Sequence, residues 1–129
     1  MLPIKDIAKL LLSRSNLRNP FSKLFTEIEF ETTAYCNRKC VYCPNVDNER
    51  FGDDENFLMK EEVFKKLISQ LKDLDFQGLI SPHLYGEPMS DPRMSSWIKH
   101  IREELPKSKI KIVTNGDYLN LESFKLFKK

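Results

Sequence analysis

Strand and helix patterns alternate along most of this chain, and the alternation predicts an α/β fold with parallel strands. Three short runs have the period-two pattern or the β-branched content of strands, and each is followed by a segment whose apolar residues recur every three or four positions. The connections are long enough for the helical crossovers that parallel pairing requires. With 129 residues and 40% apolar content, the chain has the length of one domain and should pack a core.

The segment 1–23 is predicted to be a lead-in helix and linker, and the main domain is placed at 24–129. Apolar residues recur at helical spacing from Ile4 to Leu11, and Asn19-Pro20 interrupts the pattern. This helix is expected to be a packing element.

The first strand is predicted at 25–33. Ile28 and Phe30 share one face because side chains alternate along a strand. The pattern leaves open whether the opposite face is solvated or lines a polar barrel interior. The acidic residues on that opposite face are Glu27, Glu29 and Glu31.

A first helix is predicted to begin near Glu61 and Glu62, which favour the first turn of a helix, and to continue to Leu74. A second strand follows at 79–85, although Pro82 counts against a regular central strand because proline donates no ladder hydrogen bond. The helix stripe consists of Val63, Phe64, Leu67, Ile68, Leu71 and Leu74.

A second helix is predicted after Asp91, a capping residue, with Pro92 at its first position. A third short strand is expected at 109–114, and a third helix begins near Leu121. The second helix carries one apolar stripe, formed by Met94, Trp97, Ile98, Ile101 and Leu105.

Three unusual segments, 36–43, 85–88 and 114–116, each follow a different predicted strand. Since the C-terminal ends of parallel strands meet on one side of a sheet or barrel, the three segments should share one rim. A shared rim of this kind is a candidate active site.

The first of these segments contains all three cysteines of the chain, Cys36, Cys40 and Cys43, in a C-x3-C-x2-C spacing. An odd number of cysteines so close together favours metal ligation over disulfides, and thiolates suit iron-sulfur clusters or zinc. A cubane of four irons bound by three cysteines keeps one iron open to another ligand. Zinc is the alternative, with His83 or His100 as a fourth ligand.

The C-x3-C-x-aromatic-C loop after a first strand, with Asn37 beside the first cysteine and Glu31 and Thr33 upstream, resembles the defining signature of the radical S-adenosylmethionine (SAM) superfamily. The resemblance implies a 4Fe-4S cluster whose open iron chelates SAM. It also implies reductive cleavage of SAM to a 5′-deoxyadenosyl radical, which abstracts hydrogen from a substrate. The implied fold is a partial TIM-type (β/α)6 barrel, of which this chain supplies about half.

The resemblance also assigns roles to individual residues. Gly86, Glu87 and Pro88 resemble the family's Gly-Gly-Glu-Pro motif, which holds the amino group of SAM, although Tyr85 replaces the first glycine. Glu87 could also be an ordinary turn acid. The remaining implied roles are cluster ligation by Cys36, Cys40 and Cys43, contact of Tyr42 with the SAM adenine, and a cofactor-pocket role for Thr114 and Asn115.

Alternation places His83 beside Ser81 and Tyr85, so that it lines the pocket or is a hydrogen-bonded structural residue. His100 is expected at the surface. The sequence around the second and third segments resembles that of radical SAM members with a C-terminal, cysteine-rich auxiliary domain. This sequence lacks the cysteines of that domain.

The expected partners are SAM, an unidentified substrate, an electron donor, and the missing barrel half or a partner chain. A net charge of +2 gives no electrostatic footprint for nucleic acid. Arg38-Lys39 should face water or an anionic ligand. The apolar stretch at 10–12 is too short for a signal or membrane segment, so a cytoplasmic location is expected. The alternative function is a non-catalytic zinc- or iron-sulfur-binding module.

Overall fold

Three parallel strands form one sheet in the order β1-β2-β3. They are β1 (Glu27–Glu29), β2 (Leu79–Ser81) and β3 (Lys109–Ile110). In the register of the sheet, Ile28 pairs with Ile80, and Ile80 pairs with Ile110. The predicted α/β class with parallel strands is therefore confirmed.

The structure, a computed structural model, describes residues 25–45 and 58–127. The lead-in helix and linker predicted at 1–23 lie outside the described residues. The described helices are α1 (Glu61–Asp73), α2 (Met94–Glu104) and α3 (Leu121–Phe127), with a short 3-10 turn at Pro88–Ser90. Each α-helix follows a strand in chain order, as the sequence predicts.

The core lies between one face of the sheet and helices α1 and α2. The rings of Phe64 and Trp97 stack with centroids 4.0 Å apart, and Phe30 reaches Phe64 from β1 at 6.3 Å. Ile80 and Ile101 are fully buried in the same cluster. Burying an apolar side chain of this size stabilises the fold by about 1.5–3 kcal/mol. The predicted stripe of α2 is confirmed, because all five of its residues are buried.

The strands are shorter than predicted, and backbone hydrogen bonding explains where they end. β2 stops at Ser81 because Pro82, which follows it, has no N–H to donate. Beyond Phe30, the chain leaves the parallel ladder, since the Thr32 carbonyl accepts a bond from the Met59 amide at 2.7 Å. Leu84, which lies within the predicted strand 79–85, is 47% exposed because β2 has already ended at Ser81.

The prediction that Asp91 caps the second helix is wrong, because the N-cap is Arg93 and has no side-chain capping bond; the Asp91 carboxylate instead accepts the Arg93 backbone N–H at 2.9 Å in the turn before the helix. The regular helix begins later than predicted, at Met94, because Pro92 and Arg93 form a turn. Val63, predicted in the stripe of α1, is half exposed.

In the described part of the chain, β3 pairs only with β2 and therefore lies at an edge of the sheet. A cleft of about 630 Å³ lies beside this edge, remote from the cysteines. No helix among the described residues is long and apolar enough to cross a membrane. Residues that line the cleft include Ile98, Arg102, Ile110, Ile112 and Phe127.

Candidate functional site

The three loops predicted to share a rim contact one another, which confirms their convergence. We name them the cysteine loop (36–43), the second-strand loop (85–88) and the third-strand loop (114–117). The Glu87 amide donates to the Tyr35 carbonyl at 2.7 Å, which joins the second-strand loop to the residue preceding the cysteine loop. The Asn115 side chain joins the cysteine and third-strand loops by donating to Asn37 Oδ1 at 2.8 Å.

The C-terminal half of the cysteine loop is organised by its own backbone. The Cys43 amide donates to the Cys40 carbonyl at 2.9 Å, which forms a tight turn between these two cysteines. The Asn45 amide donates to Cys43 Sγ at 3.4 Å, and the Arg38 amide donates to Cys36 Sγ at 3.5 Å. All three thiols are free and half-buried.

The chemistry of these thiols fits an iron-sulfur cluster, since three free cysteines lie in one loop and two of their sulfurs accept backbone amides. Amide hydrogen bonds to cysteine sulfurs are a usual feature of cluster sites and help to set their reduction potential. Within the ranges 25–45 and 58–127, no three His, Cys, Asp or Glu side chains converge as ligands of one metal ion would. In a cubane, each thiolate would bind its own iron, so the three sulfurs would converge on a cluster and not on one ion. His100, one proposed zinc ligand, is only partly exposed and lies against Phe64 with ring centroids 5.7 Å apart.

The tip of the cysteine loop is open to solvent. Val41 is 92% exposed and Tyr42 is 86% exposed. A hydrogen bond between the Tyr42 hydroxyl and the Cys40 side chain raises the pKa of Tyr42 above its ordinary value. The ring of Tyr42 is thus available to a ligand, as its predicted contact with the SAM adenine requires.

Gly86 lies where the second-strand loop crosses the end of β1. A Cβ on this residue would lie 1.8 Å from the Thr33 carbonyl oxygen, so no larger residue fits without moving the backbone. The Glu31 carboxylate accepts the amides of Tyr85 and Gly86 at 3.1 and 3.0 Å. These contacts explain why the motif needs glycine at this position whether or not a cofactor is present.

Glu87 is buried, with 2% of its surface exposed. One carboxylate oxygen accepts the Met89 amide at 2.9 Å and the Thr114 hydroxyl at 2.6 Å. The other accepts the Asn115 amide at 2.8 Å. The side chain therefore joins the second-strand loop to the third-strand loop, which makes it more than an ordinary turn acid.

Asp117 is a site residue that the sequence did not single out. Its carboxylate accepts Asn37 Nδ2 and Arg38 Nε, each at 2.8 Å, and also pairs with the second guanidinium nitrogen of Arg38. Arg38, which was expected to face water or an anionic ligand, is exposed, and its guanidinium binds this carboxylate. The hydrogen bonds from Arg38 and Asn37 lower the pKa of Asp117. Its position directly after the Asn115-Gly116 turn is the signal that could have identified it.

The sheet face opposite the core is polar and partly exposed. Glu27 accepts the Ser81 hydroxyl at 2.7 Å and also pairs with Lys111. These two bonds lower the pKa of Glu27, and its pairing raises the pKa of Lys111. Glu29 lies 3.7 Å from the same ammonium group. Glu27 and Glu29 thus form, with Lys111, a charged cluster on this face of the sheet.

His83 is half-buried near this polar face. Among the described residues, its Nδ1 is buried without a hydrogen-bond partner. Burial lowers the pKa of His83 and so favours the neutral imidazole. The imidazole also hydrogen-bonds the backbone of Lys111, so His83 has one hydrogen-bond partner and one buried nitrogen without a partner in the described part of the chain.

The assembled loops correspond to a known family. The chain matches the family model for the radical SAM superfamily over residues 30–129. The chain belongs to the radical SAM superfamily. The match includes all three loops of the candidate site.

Two curated proteins are similar to this chain in sequence. The chain is 41% identical over 97 residues to the S-adenosyl-L-methionine-dependent 2-deoxy-scyllo-inosamine dehydrogenase of Niallia circulans, a match that covers 75% of this chain and 38% of the relative. It is 30% identical over 112 residues to the GTP 3′,8-cyclase of Nautilia profundicola, covering 85% of this chain and 34% of the relative.

A solved structure of BtrN in complex with AdoMet and 2-DOIA superposes with a TM-score of 0.73 at 36% identity, covering 82% of this chain and 42% of that chain. BtrN in an open conformation gives a TM-score of 0.72 at 36% identity, covering 82% and 46%. The chain thus spans less than half the length of these radical SAM relatives.

Proposed function

We propose that the protein is a radical SAM enzyme, or the cofactor-binding part of one, with its 4Fe-4S cluster held by Cys36, Cys40 and Cys43. The observation that carries this proposal is the position of the three free thiols, in one loop at the C-terminal end of a parallel strand and against the two other rim loops. When bound, the reduced cluster supplies the electron for cleavage of SAM, and the resulting 5′-deoxyadenosyl radical abstracts hydrogen from the substrate.

The SAM site is assigned to the rim beside the thiols. Gly86 permits close approach of the second-strand loop to β1, and Pro88 directs the chain into the 3-10 turn that follows. Thr114 and Asn115 complete the pocket wall, and the exposed ring of Tyr42 offers a surface for the adenine. In this arrangement Glu87 affects SAM by fixing the loop that contains Thr114 and Asn115.

The wider architecture is assigned as about half of a partial (β/α)6 barrel. Three parallel strands with their helices, an open edge at β3, and a polar face carrying Glu27 and Lys111 support this assignment. The remaining strands would come from a continuation of the chain or from a partner. The reaction would also need an electron donor.

The polar face also favours a small hydrophilic substrate. Carboxylates, an ammonium group and a hydroxyl on this face can bind hydroxyl or amino groups. The relative with 41% identity is named for 2-deoxy-scyllo-inosamine, a molecule of this chemical kind. We place the substrate of this protein in the same broad class.

Anaerobic reconstitution with iron and sulfide tests the proposed function. The expected product is a brown protein with broad visible absorption from sulfur-to-iron charge transfer, which cleaves SAM when a strong reductant is added. A colourless protein that retains stoichiometric zinc contradicts the proposal and supports the non-catalytic module.

The isolated 129-residue chain provides a stricter form of this test. It should hold the cluster, because all three ligands are local, but cleave SAM slowly, because the rest of the barrel is needed to enclose the reaction and exclude water. Robust production of 5′-deoxyadenosine by this chain as a monomer would contradict the assignment of half a barrel.

A further inference from the structure

The two halves of the cysteine loop are held by different means. Cys40 and Cys43 are joined by a local turn, with the Cys43 amide 2.9 Å from the Cys40 carbonyl. Cys36 lies outside this turn. Its neighbours Asn37 and Arg38 are bound instead to the third-strand loop, about eighty positions away in the sequence.

The connection consists of four side chains, Asn37, Arg38, Asn115 and Asp117, which we call the latch. Asn37 uses both ends of its amide, because Nδ2 donates to Asp117 and Oδ1 accepts from Asn115, each at 2.8 Å. Arg38 donates through Nε and a terminal nitrogen to the two oxygens of Asp117. Asn115 Nδ2 also lies 4.0 Å from Cys36 Sγ, which brings the latch to the thiol itself.

A bidentate pair of arginine and carboxylate fixes orientation as well as distance, because the planar guanidinium matches the planar acid. The pair is partly exposed, with 49% of the Arg38 side chain and 37% of the Asp117 side chain accessible. Exposed ion pairs contribute little to global stability. The structural consequence of this pair is therefore local: it restricts residues 37–38 and, through them, Cys36.

We propose that the latch positions Cys36 relative to the Cys40–Cys43 turn, so that Arg38 and Asp117 are positioning residues for the cluster. This inference rests on the proposed function. The alternative is an ordinary surface ion pair, whose loss would leave the cluster unaffected.

The test compares the rate at which an excess of iron chelator removes iron from anaerobically reconstituted proteins. The variants are Arg38→Gln, Asp117→Asn and the double variant. Each single variant should lose iron faster than the wild type by about 1.5-fold to fivefold, the range expected when one exposed ion pair is broken. The double variant should be no faster than the faster single variant, because the first substitution already breaks the pair.

The matched control is the ion pair of Lys72 and Glu104, which is also exposed and has a 2.6 Å separation, but joins α1 to α2. Lys72→Gln should lose iron at the wild-type rate. The thermal midpoints of the cluster-free Arg38 and Asp117 variants should match that of Lys72→Gln, which separates local positioning from general destabilisation.

Iron loss at the wild-type rate in both single variants would overturn the proposal that the latch positions Cys36. So would independent effects that multiply in the double variant, or a fall in the cluster-free midpoint beyond that of the control. Wild-type protein that takes up no iron contradicts the proposed function and the latch together. Wild-type protein that takes up iron, with unchanged variants, contradicts the latch alone.

Discussion

The cysteine loop and the second-strand loop lie on the same rim but are built in opposite ways. The tip of the cysteine loop is exposed at Val41 and Tyr42, and its tertiary contacts lie mainly at its start. The second-strand loop is packed against backbone at Gly86 and buried at Glu87. The second-strand loop thus has a shape set by protein contacts. The cysteine loop instead presents thiols and an aromatic ring that are available to a ligand.

Breaking the packing of the second-strand loop should have the largest effect. In Gly86→Ala, the new Cβ would clash with the Thr33 carbonyl oxygen, which belongs to backbone and cannot rotate away. We expect a loss of about 3 kcal/mol or more in the free energy of unfolding of the cluster-free protein, measured by urea denaturation.

Gly116→Ala is the control for this substitution. The Cβ would enter open space, but the residue has a positive φ of 84°. The expected cost is about 1–2 kcal/mol from backbone strain alone. A smaller loss in Gly86→Ala than in Gly116→Ala would show that the second-strand loop is not fixed by steric contact.

Removing the carboxylate that joins the second- and third-strand loops should have the next largest effect. Glu87→Ala leaves the Met89 amide, the Thr114 hydroxyl and the Asn115 amide without their acceptor. We expect a loss of about 1–3 kcal/mol in unfolding free energy. The cluster should still assemble, because Glu87 does not contact the thiols, while the affinity for SAM should weaken as the third-strand loop shifts.

Thr114→Val is the partial form of this change, because it removes one of these three hydrogen bonds together with the bond from the Gly116 amide to the same hydroxyl. Its effect on unfolding should be smaller than that of Glu87→Ala. Unchanged SAM affinity in cluster-loaded Glu87→Ala would exclude Glu87 from the cofactor site, either as a contact or as a positioning residue.

The smallest effect on the free energy of unfolding should come from protonation of His83, which is partly desolvated where the chain approaches the second-strand loop. Because burial lowers its pKa in the folded state, the unfolded chain binds the proton more readily. The free energy of unfolding should therefore fall as pH decreases from the usual histidine pKa of about 6.5 to the lowered value of the folded state, and level off below it. Glu29, Lys111 and Glu27 are the charged neighbours that modulate this titration.

The measurement compares urea unfolding of the wild type and His83→Gln between about pH 8 and about pH 5. Subtracting the two curves removes the contribution of other titrating groups. The wild type should lose stability relative to the variant as pH decreases. A difference independent of pH would show that folding leaves the pKa of His83 unchanged, and one of opposite sign would show that folding raises it; either result contradicts the desolvation of His83.

The sequence predicted the features that depend on local periodicity. The stripe of α2, the alternation of Ile28 and Phe30, and the break at Pro82 follow from repeats of the chain and from the missing N–H of proline. Convergence of the three loops was also predictable, since it follows from parallel strands.

Features that depend on distant partners could not be predicted in the same way. The strands end early because residues such as Thr32 bond outside the ladder, and Leu84 is exposed because its strand has already ended. The pairing of Arg38 with Asp117 joins residues 79 positions apart, and no local pattern indicates it. The steric requirement for Gly86 likewise depends on Thr33, in the segment that follows β1.

The most direct test of the cluster assignment is the iron and sulfide content of anaerobically reconstituted wild type and Cys40→Ala. We expect about four irons and four sulfides per chain in the wild type, because one 4Fe-4S cluster is assigned to each chain. Cys40→Ala should retain no stable cluster, because a cubane held by two cysteines is labile, while its cluster-free stability should be close to that of the wild type. Full iron content in Cys40→Ala would contradict the assignment of the cysteine loop as the cluster site.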